Sequence, residues 1–390
     1  MPETMTCYER VEAAWNLKEA DRVPVAPLVI YILPYLSGVT FHELLSDPEK
    51  LVQTAIDHSD LVGDNIHPLL TIHDHQSILP NTGWERTTLH WRIWEHFPPR
   101  GNIPSSYFDK VIFEDYEDVR KRGFAQAIFN KNIDPEMFHR GIQDYLYSAF
   151  EFPAAFWKAW RRFVQVTGKA LMFGTRATIP FDYLIYCRTF EKITEDVAER
   201  PDRVKELCEI IGEYEIVRAM AKCMEAGAGE VPGAENIFLQ LGLSAPPYIS
   251  PRTFDEFVYP YMKNQVDLAV NRGFKVHIHL DGNLTPVLST LSHITDGLPQ
   301  GRVLLDFEKT DMKKAKEVLG DRVCIYGNVP AALMVYGSTE EVDRYCRKLI
   351  EDCAQGGGFI LGTECEVPWD AKPDNVRAMI AAAKKYGQYK

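Results

Sequence analysis

Two short stretches of the chain combine the pattern of a buried strand with side chains that can bind a metal or move a proton. Phe274 to Pro286 reads FKVHIHLDGNLTP, and Gly358 to Pro368 reads GFILGTECEVP. Each begins as an apolar run and ends in glycine with polar side chains, which is typical of a strand that leads into a functional loop. The polar groups at these two ends are His279, Asp281, Glu364 and Cys365.

His279, Asp281 and Cys365 offer the imidazole, carboxylate and thiolate ligands of a catalytic zinc site. Such sites use three protein ligands and leave the fourth position open for substrate. His277 lies two residues before His279, so both side chains point to the same face of a strand. His277 either supports a ligand or is a hydrogen-bonded residue of the interior, and the second interpretation is favoured.

These residues can meet only if their strands lie in one parallel sheet, because parallel strands end at the same edge. After an amphipathic helix at residues 6–20, eight strand-like runs are each followed by a helical pattern. The runs are DRVPVAPLVI, DLVGDNIHPL, KALMFGT, NIFLQLG, FKVHIHL, RVLLDFE, RVCIYGN and GFILGTE. This order predicts an α/β fold, a (β/α)8 TIM barrel that forms one domain over residues 1–390. The sequence lacks the glycine-rich and Walker-type loops of nucleotide-binding sheets.

An aromatic-rich insertion, about residues 71–168, interrupts the alternation after the second strand. Its rings include Trp84, Trp91, Trp94, Phe138, Tyr145, Phe150, Phe152, Phe156, Trp157, Trp160 and Phe163. The insertion can cover a site at the barrel mouth, or its rings can form a small core of their own. For most of the rings the second interpretation is favoured.

Further polar residues are predicted at the carboxyl ends of the strands, where catalytic groups gather in this architecture. Asp64 and Glu235 are candidates for orienting the substrate or supplying a proton, and Asp281 is a third catalytic candidate. The candidate substrate-binding residues are Asn65, His67, Gln240 and Asn328. Asp306 and Glu308 follow the sixth strand, and Asp306 alternatively caps a helix or pairs with Arg302. The group His67, His73, Asp74 and His75 also has metal-binding types but lacks a cysteine, and it ranks lower.

Charge and cysteine content narrow the class of protein. The net charge is -12 without a long basic run, so a nucleic acid is not expected as a partner. Neither a signal sequence nor a membrane span is recognisable, which predicts a cytoplasmic protein. The eight cysteines include no Cys-x-x-Cys pair, and most are predicted to be reduced core thiols. Cys365 differs because it follows a strand.

Five motifs resemble the uroporphyrinogen decarboxylase superfamily, in the same order along nearly the whole chain. They are DRVPVAPL, ISPRTFDEFVYPY, HLDGN, YGNVPAAL and GGGFILGTECEVPWDAKPDNVRAMI. Uroporphyrinogen decarboxylases carry an arginine-rich stretch after the first strand, whereas Val23 to Glu85 contains no arginine here and Lys50 is its only lysine. Several substrate carboxylates would lack bidentate partners there, so the resemblance favours the cobalamin-dependent methyltransferase branch.

In that branch, zinc is held by His-x-Cys after the fifth strand and by a cysteine after the eighth. The resemblance assigns His279 and Cys365 to two of these ligands and places Asp281 where the first cysteine would stand. Glu364 and Glu235 are the alternative third ligands if Asp281 turns away. Aspartate is a harder ligand than cysteine, so a coenzyme-thiol acceptor is disfavoured.

The resemblance therefore implies a methyltransferase that moves a methyl group from a small methoxylated, aromatic substrate to the cobalt of a separate corrinoid protein. No Asp-x-His-x-x-Gly motif for binding cobalamin occurs in the chain. A homodimer is compatible with the sequence. The alternatives are a metal-free decarboxylase of a small acid, in which Asp64 stabilises a developing cation, and a non-enzymatic subunit that presents a partner protein.

Overall fold

Parallel strands form the centre of the structure, a computed structural model that describes residues 3–39, 43–44, 47–67, 152–188, 190–225 and 227–389. The strands are β1 Val25–Ala26, β2 Asn65–Ile66, β3 Ala170–Leu171, β4 Thr175–Thr178, β5 Asn236–Leu241, β6 Lys275–Leu280, β7 Val303–Phe307, β8 Cys324–Val329 and β9 Phe359–Thr363. Seven of them form one sheet in the order β1-β9-β8-β7-β6-β5-β4, and β2 pairs with β3.

Backbone hydrogen bonds join the two sheets into a ring. The amide of Asp64 donates to the carbonyl of Val25 at 2.6 Å, which links the start of β2 to β1. The amide of Leu171 donates to the carbonyl of Pro232 at 2.9 Å, which links β3 to the segment before β5. The predicted third strand is present as β3 and β4, interrupted at residues 172–174. The prediction of a (β/α)8 barrel is confirmed.

Most helices follow a strand and cover the outside of the barrel. The described α-helices of four or more residues are α1 Cys7–Trp15, α2 Ile32–Ser37, α3 Pro48–Asp57, α4 Phe152–Thr167, α5 Pro180–Arg188, α6 Phe190–Glu199, α7 Pro201–Cys223, α8 Tyr259–Val270, α9 Leu288–Leu291, α10 Met312–Leu319, α11 Ala331–Tyr336, α12 Thr339–Cys353 and α13 Pro373–Tyr386. Asp47 caps α3 as expected, because its carboxylate accepts from the amides of Glu49 and Lys50. The helix predicted from Ser250 onward is divided, with a π-helical turn at Phe254–Val258 before α8.

Two layers of buried apolar residues stabilise the barrel. The larger one lies between the strands and the helices. The smaller one fills the barrel and includes Phe173, Phe238, Leu304 and Tyr326, together with Trp15 of α1. Helix α1 therefore closes the end of the barrel at which the strands begin. The functional residues must use the other end, because the strands' carboxyl ends open there.

The rings of α4 belong to the barrel rather than to a separate small core. Phe156, Trp157, Trp160 and Phe163 are all buried in the larger apolar layer. These four rings are therefore core residues of the main domain. The other rings of the predicted insertion, apart from Phe152, lie outside the described residues. The extent of one domain over residues 1–390, with an insertion at about 71–168, stays a prediction.

Gly362 in β9 provides the space that the Tyr326 ring occupies inside the barrel. A Cβ atom at Gly362 would overlap the Tyr326 ring, whose hydroxyl donates to the carbonyl of Ala26. We expect Gly362→Ala to lower the free energy of unfolding by about 1–3 kcal/mol, the usual cost of overpacking a core. Urea unfolding of both forms measures the change. Gly229→Ala is the control, because a Cβ there meets no atom within 4 Å, and an equal loss for both variants would contradict the explanation.

Across the residues that the structure describes, each helix is too short or too polar to cross a lipid bilayer.

Candidate metal centre

Strand β6 carries a column of ionisable side chains along the inside of the barrel. Lys275, His277 and His279 occupy alternate positions of the strand, and all three are buried. The residues between them belong to the outer apolar layer. Since successive side chains of a strand point to opposite faces, the three lie on its inner face. Lys275 pairs with Glu12 of α1 at the closed end, which leaves His279 nearest the open end.

The imidazole of His279 lies between two carboxylates. Its Nδ1 is 2.7 Å from Oδ2 of Asp306, and its Nε2 is 2.9 Å from Oδ1 of Asp281. Asp306 is the residue opposite His279 in the register of β7 with β6. Although burial acts to lower it, the carboxylates of Asp306 and Asp281 raise the pKa of His279 well above its usual value. The site thus attracts a positive charge.

Cys365, which follows β9, lies against the same imidazole. Its Sγ is 3.7 Å from Nε2 of His279 and 3.8 Å from Oδ1 of Asp281. The thiol donates to Oε2 of Glu366 at 2.5 Å. Burial and the charge of Glu366 raise the pKa of Cys365. The two distant chain segments therefore meet at one edge of the barrel, as the sequence predicts.

The three donors fit one metal ion. The ligand atoms of His279, Asp281 and Cys365 all lie within 4.8 Å of one another. Tetrahedral zinc, with bonds of about 2.0–2.3 Å, sets its ligand atoms roughly 3.3–3.8 Å apart. Asp281 and Cys365 are partly exposed whereas His279 is buried, so the side of the centre away from the barrel interior faces the mouth. This donor set suits zinc with one open position.

The loop that carries Asp281 is held by the loop after β7. Oε2 of Glu308 accepts from the amide of Gly282 at 2.6 Å, and the Thr310 hydroxyl accepts from the amide of Leu284 at 2.9 Å. The amide nitrogen of Asn328 donates to the carbonyls of Glu308 and Thr310 at 2.9 and 3.0 Å. Asn328 is predicted to bind substrate, but its amide nitrogen instead supports the loop through these two hydrogen bonds. The prediction is corrected for this nitrogen atom.

Aromatic rings pack beneath and beside the imidazoles. Phe238 of β5 stacks on His279 with centroids 5.6 Å apart, and its other contacts include Phe173 at 4.5 Å. His67 meets Phe173 and Phe238 edge-on at 4.3 and 5.4 Å. His67 thus follows β2 at the open end of the barrel, as predicted, and lies within this aromatic group.

Asp64 lies at the start of β2, so the prediction that it acts at a strand end is wrong. Its carboxylate is 1% exposed and pairs with Arg10 and Arg22, each at 2.7 Å. It also accepts from the amide of Val25 at 2.9 Å. Although burial acts to raise it, the two guanidinium groups lower the pKa of Asp64. A carboxylate held in this way stays ionised and cannot supply a proton to a substrate.

Glu235 is corrected for the same reason. It precedes β5, and its carboxylate accepts from the Tyr8 hydroxyl at 3.1 Å and from the amide of Gly233 at 2.9 Å. Tyr8 belongs to α1 at the closed end. Glu235 is therefore neither an alternative metal ligand nor a catalytic residue at the mouth.

Glu364 is the other alternative ligand, and it faces a different partner. Its Oε1 accepts from the amide of Ala331 at 2.8 Å, at the beginning of α11. Within the described residues, the group that could hold a metal ion consists of His279, Asp281 and Cys365, without Glu364. Asp281 is therefore the third donor that the geometry provides.

Of the remaining predicted site residues, some lie near the candidate metal centre and others lie outside the described residues. Gln240 lies beside His279 in the register of β5 with β6 and is partly exposed, while Asn65 shares the inner face of β2 with His67. Their substrate-binding roles stay predictions. His73, Asp74 and His75 lie outside the described residues.

For three residues that contribute to the site, the sequence does not indicate the role. Asp306 is predicted to follow a strand, whereas it lies inside β7 and contacts two histidines. The signal that could have identified it is a single acidic residue in the otherwise apolar run VLLDF. Phe238 and Glu308 act through stacking and a backbone contact, which the sequence does not reveal.

Comparison with known proteins identifies relatives of this chain. The sequence profile of the family described as Uroporphyrinogen decarboxylase (URO-D) matches residues 153–386. A protein described as uroporphyrinogen decarboxylase from Methylococcus capsulatus is 36% identical over 78 residues, which are 20% of this chain and 22% of that protein. The match thus spans less than a quarter of that relative's length.

A solved structure has the same fold over the full length. A methyltransferase from Methanosarcina mazei superposes with a TM-score of 0.66 at 18% sequence identity, covering 98% of this chain and 99% of that chain. At this level of identity the likeness concerns the architecture. The chemistry must be inferred from the site itself.

Proposed function

This chain belongs to the uroporphyrinogen decarboxylase family, and on that premise we propose that it is a methyltransferase of the cobalamin-dependent branch. It would take a methyl group from a small methoxylated aromatic compound and give it to the cobalt of a separate corrinoid protein. The observation that carries the proposal is the group of three donors, His279, Asp281 and Cys365, within 4.8 Å of one another at the barrel mouth.

The donors' residue types support zinc at this centre. A thiolate and an imidazole favour zinc over magnesium or calcium, and a single carboxylate makes the set harder than one with two thiolates. When bound there, zinc would supply a Lewis acid that polarises the ether oxygen of the donor. This help is needed because an alkoxide or phenoxide is otherwise a poor leaving group.

The chain's own residues prepare the centre for that role. Asp306 contacts Nδ1 of His279, which leaves Nε2 facing Asp281 and Cys365. Glu366 accepts the thiol proton of Cys365, and Glu308 holds the loop beside Asp281 through the amide of Gly282. Such outer contacts fix the orientation of ligands before a substrate arrives.

The proposed reaction is a displacement at the methyl carbon. The bond from the methyl carbon to oxygen breaks, and the oxygen keeps the electron pair and takes up a proton from solvent. The reduced cobalt of the corrinoid partner supplies the electron pair for the new bond to carbon. Four rings of α4 are buried in the core, but the other aromatic residues in the sequence 71–168 favour a phenyl methyl ether as the donor, because flat rings pack well against a phenyl group.

Decarboxylation of a porphyrinogen is disfavoured by the distribution of cationic residues. The segment from Val23 to Glu85 contains no arginine. Arg22, which directly precedes it, is buried against Asp64 and Glu3. The alternative of a metal-free decarboxylase of a small acid also loses its proposed acidic residue, since Asp64 pairs with two arginines at the closed end.

A methyl-transfer assay tests the proposal. The protein is incubated with a corrinoid protein reduced to the cob(I)alamin state and a panel of methoxylated aromatics, and the visible spectrum follows formation of methylcobalamin. We expect conversion with at least one donor, and at least about 100-fold slower conversion for Cys365→Ala if the metal supplies several kcal/mol. No conversion with any donor, together with release of carbon dioxide from a small acid, would favour the decarboxylase instead.

A further inference from the structure

Asp306 is a buried carboxylate that contacts two histidines through one oxygen. Its Oδ2 is 2.7 Å from Nδ1 of His279 and 3.1 Å from Nε2 of His277. All three side chains are at most 5% exposed. Oδ1 of Asp306 and Nδ1 of His277 have no hydrogen-bond partner. Among the described residues, these imidazoles are the only groups that the structure pairs with this carboxylate by hydrogen bond or salt bridge.

Burying a carboxylate in this way is costly unless it has a function or strong compensation. A buried charge without a paired cation is strongly disfavoured, and its interactions must be well aligned to offset the loss of water. The rings of Phe173, Phe238 and Tyr326 pack against His277, so the carboxylate and its histidine partner lie in the aromatic interior of the barrel. An apolar residue would fill the interior at lower cost. The carboxylate is therefore explained better by what it does to the histidines.

We propose that Asp306 is a positioning residue that fixes the tautomer and orientation of His279, and that His277 holds Asp306 in place for this task. When Nδ1–H of His279 donates to Asp306, the lone pair for a metal must be on Nε2. That nitrogen is the one that faces Asp281 and Cys365. This inference rests on the proposed function, because it assigns residues to the same metal centre.

The two histidines of β6 thus have different roles. His277 lies one layer deeper in the barrel than His279, since the two are separated by two residues of the strand. Nε2–H of His277 donates to Oδ2 of Asp306, the same oxygen that contacts His279. This hydrogen bond prevents the carboxylate from rotating and presenting Oδ1 to His279. Phe238 adds to the effect by stacking on His279 at an interplanar angle of 25°. The hydrogen bond to Asp306 fixes the edge of the His279 imidazole, and the stacked ring of Phe238 fixes its face.

Two substitutions at Asp306 distinguish the orientation of the His279 imidazole from the negative charge of the carboxylate. Because both histidines contact one oxygen, Asp306→Asn can keep both hydrogen bonds and place its amide nitrogen where Oδ1 has no partner. Asp306→Ala removes the bonds and the charge together. The surface pair His293 and Asp296, with a contact of 2.8 Å, provides the matched control Asp296→Asn.

The test measures zinc affinity of the purified full chain by competition with a chromophoric chelator. Loss of an outer partner of a metal-bound histidine typically costs about 10–100-fold in affinity, so we expect that range for Asp306→Ala. We expect a smaller loss, of less than about 10-fold, for Asp306→Asn, and an intermediate loss for His277→Phe. Asp296→Asn should bind zinc as the unaltered protein does.

A second readout covers the case in which Asp306→Ala fails to fold. Nitrogen-15 NMR of histidine-labelled, zinc-loaded protein should show Nδ1 of His279 protonated in the unaltered protein and in Asp306→Asn. Unchanged zinc affinity in Asp306→Ala or His277→Phe, or an Nδ1 of His279 without a proton in the unaltered protein, would overturn the inference. If the unaltered protein itself binds no zinc, the proposed metal centre fails, which is a different result.

Discussion

Replacing Cys365 by alanine is expected to lower the affinity for zinc by more than about 100-fold, beyond what loss of an outer partner costs. The thiolate supplies one of three protein donors, and its Sγ lies 3.7 Å from Nε2 of His279 on the side of the centre opposite Asp306. Without it, the centre retains one imidazole and one carboxylate, a set with weak preference for zinc. Competition with a chromophoric chelator measures the change.

Cys7→Ala is the matched control for this experiment. Cys7 is likewise a partly exposed thiol, but it begins α1 at the closed end of the barrel. Its removal should leave zinc affinity unchanged. Equal affinities for Cys365→Ala and the unaltered protein would show that the thiol is not a ligand.

The same centre predicts how zinc affinity depends on pH. Zinc binds the thiolate of Cys365 and the unprotonated Nε2 of His279, and the pKa values of both groups are raised in the metal-free protein. Binding therefore releases protons, and the affinity should increase as the pH rises. A pH-independent affinity would contradict this set of ligands.

Replacing Asp64 by alanine is expected to lower the free energy of unfolding by about 3–5 kcal/mol. The substitution leaves Arg10 and Arg22 buried without the carboxylate that bridges them. It also removes the acceptor for the amide of Val25. Urea unfolding measures the loss, and Glu351→Ala, which breaks an exposed pair with Arg347, is the control with an expected change below about 1 kcal/mol.

The dependence of the free energy of unfolding on pH in acid should reflect the ion pairs of Asp64 with Arg10 and Arg22. The pKa of Asp64 is lower in the folded chain than in the unfolded chain, so the unfolded state binds a proton more readily. The contribution of Asp64 is present above the unfolded pKa of about 3.9 and is lost as the pH falls through the folded value. Asp64→Ala should therefore flatten the decline in stability at low pH. Unchanged stability of an Asp64→Ala variant, in acid and at neutral pH, would contradict this account of the ion pairs.

The sequence was sufficient to predict the barrel and the meeting of the two segments that carry the candidate metal ligands. Strand β6 alternates polar and apolar residues and β9 is mostly apolar, and both lead into polar residues that parallel strands bring to one edge. Asp281 and Cys365 could therefore be placed near His279 without coordinates.

The errors arose where a strand is short or begins with a polar residue. The start of a strand and its end look alike in sequence when both are polar, and Asp64 and Glu235 each precede the strand that they were expected to follow. The role of Asp306 depends on the register of β7 against β6, since only that register places it opposite His279. Register follows from the packing of the whole sheet, which no local pattern specifies.

X-ray absorption spectroscopy at the zinc edge, combined with the zinc content of the purified protein, tests the central claim most directly. The account predicts about one zinc per chain, with one sulfur ligand at about 2.3 Å and nitrogen or oxygen ligands at about 2.0–2.2 Å. The sulfur contribution should disappear in Cys365→Ala. A protein that takes up no zinc, or a zinc ion without a sulfur ligand in the unaltered chain, would contradict a centre formed by His279, Asp281 and Cys365.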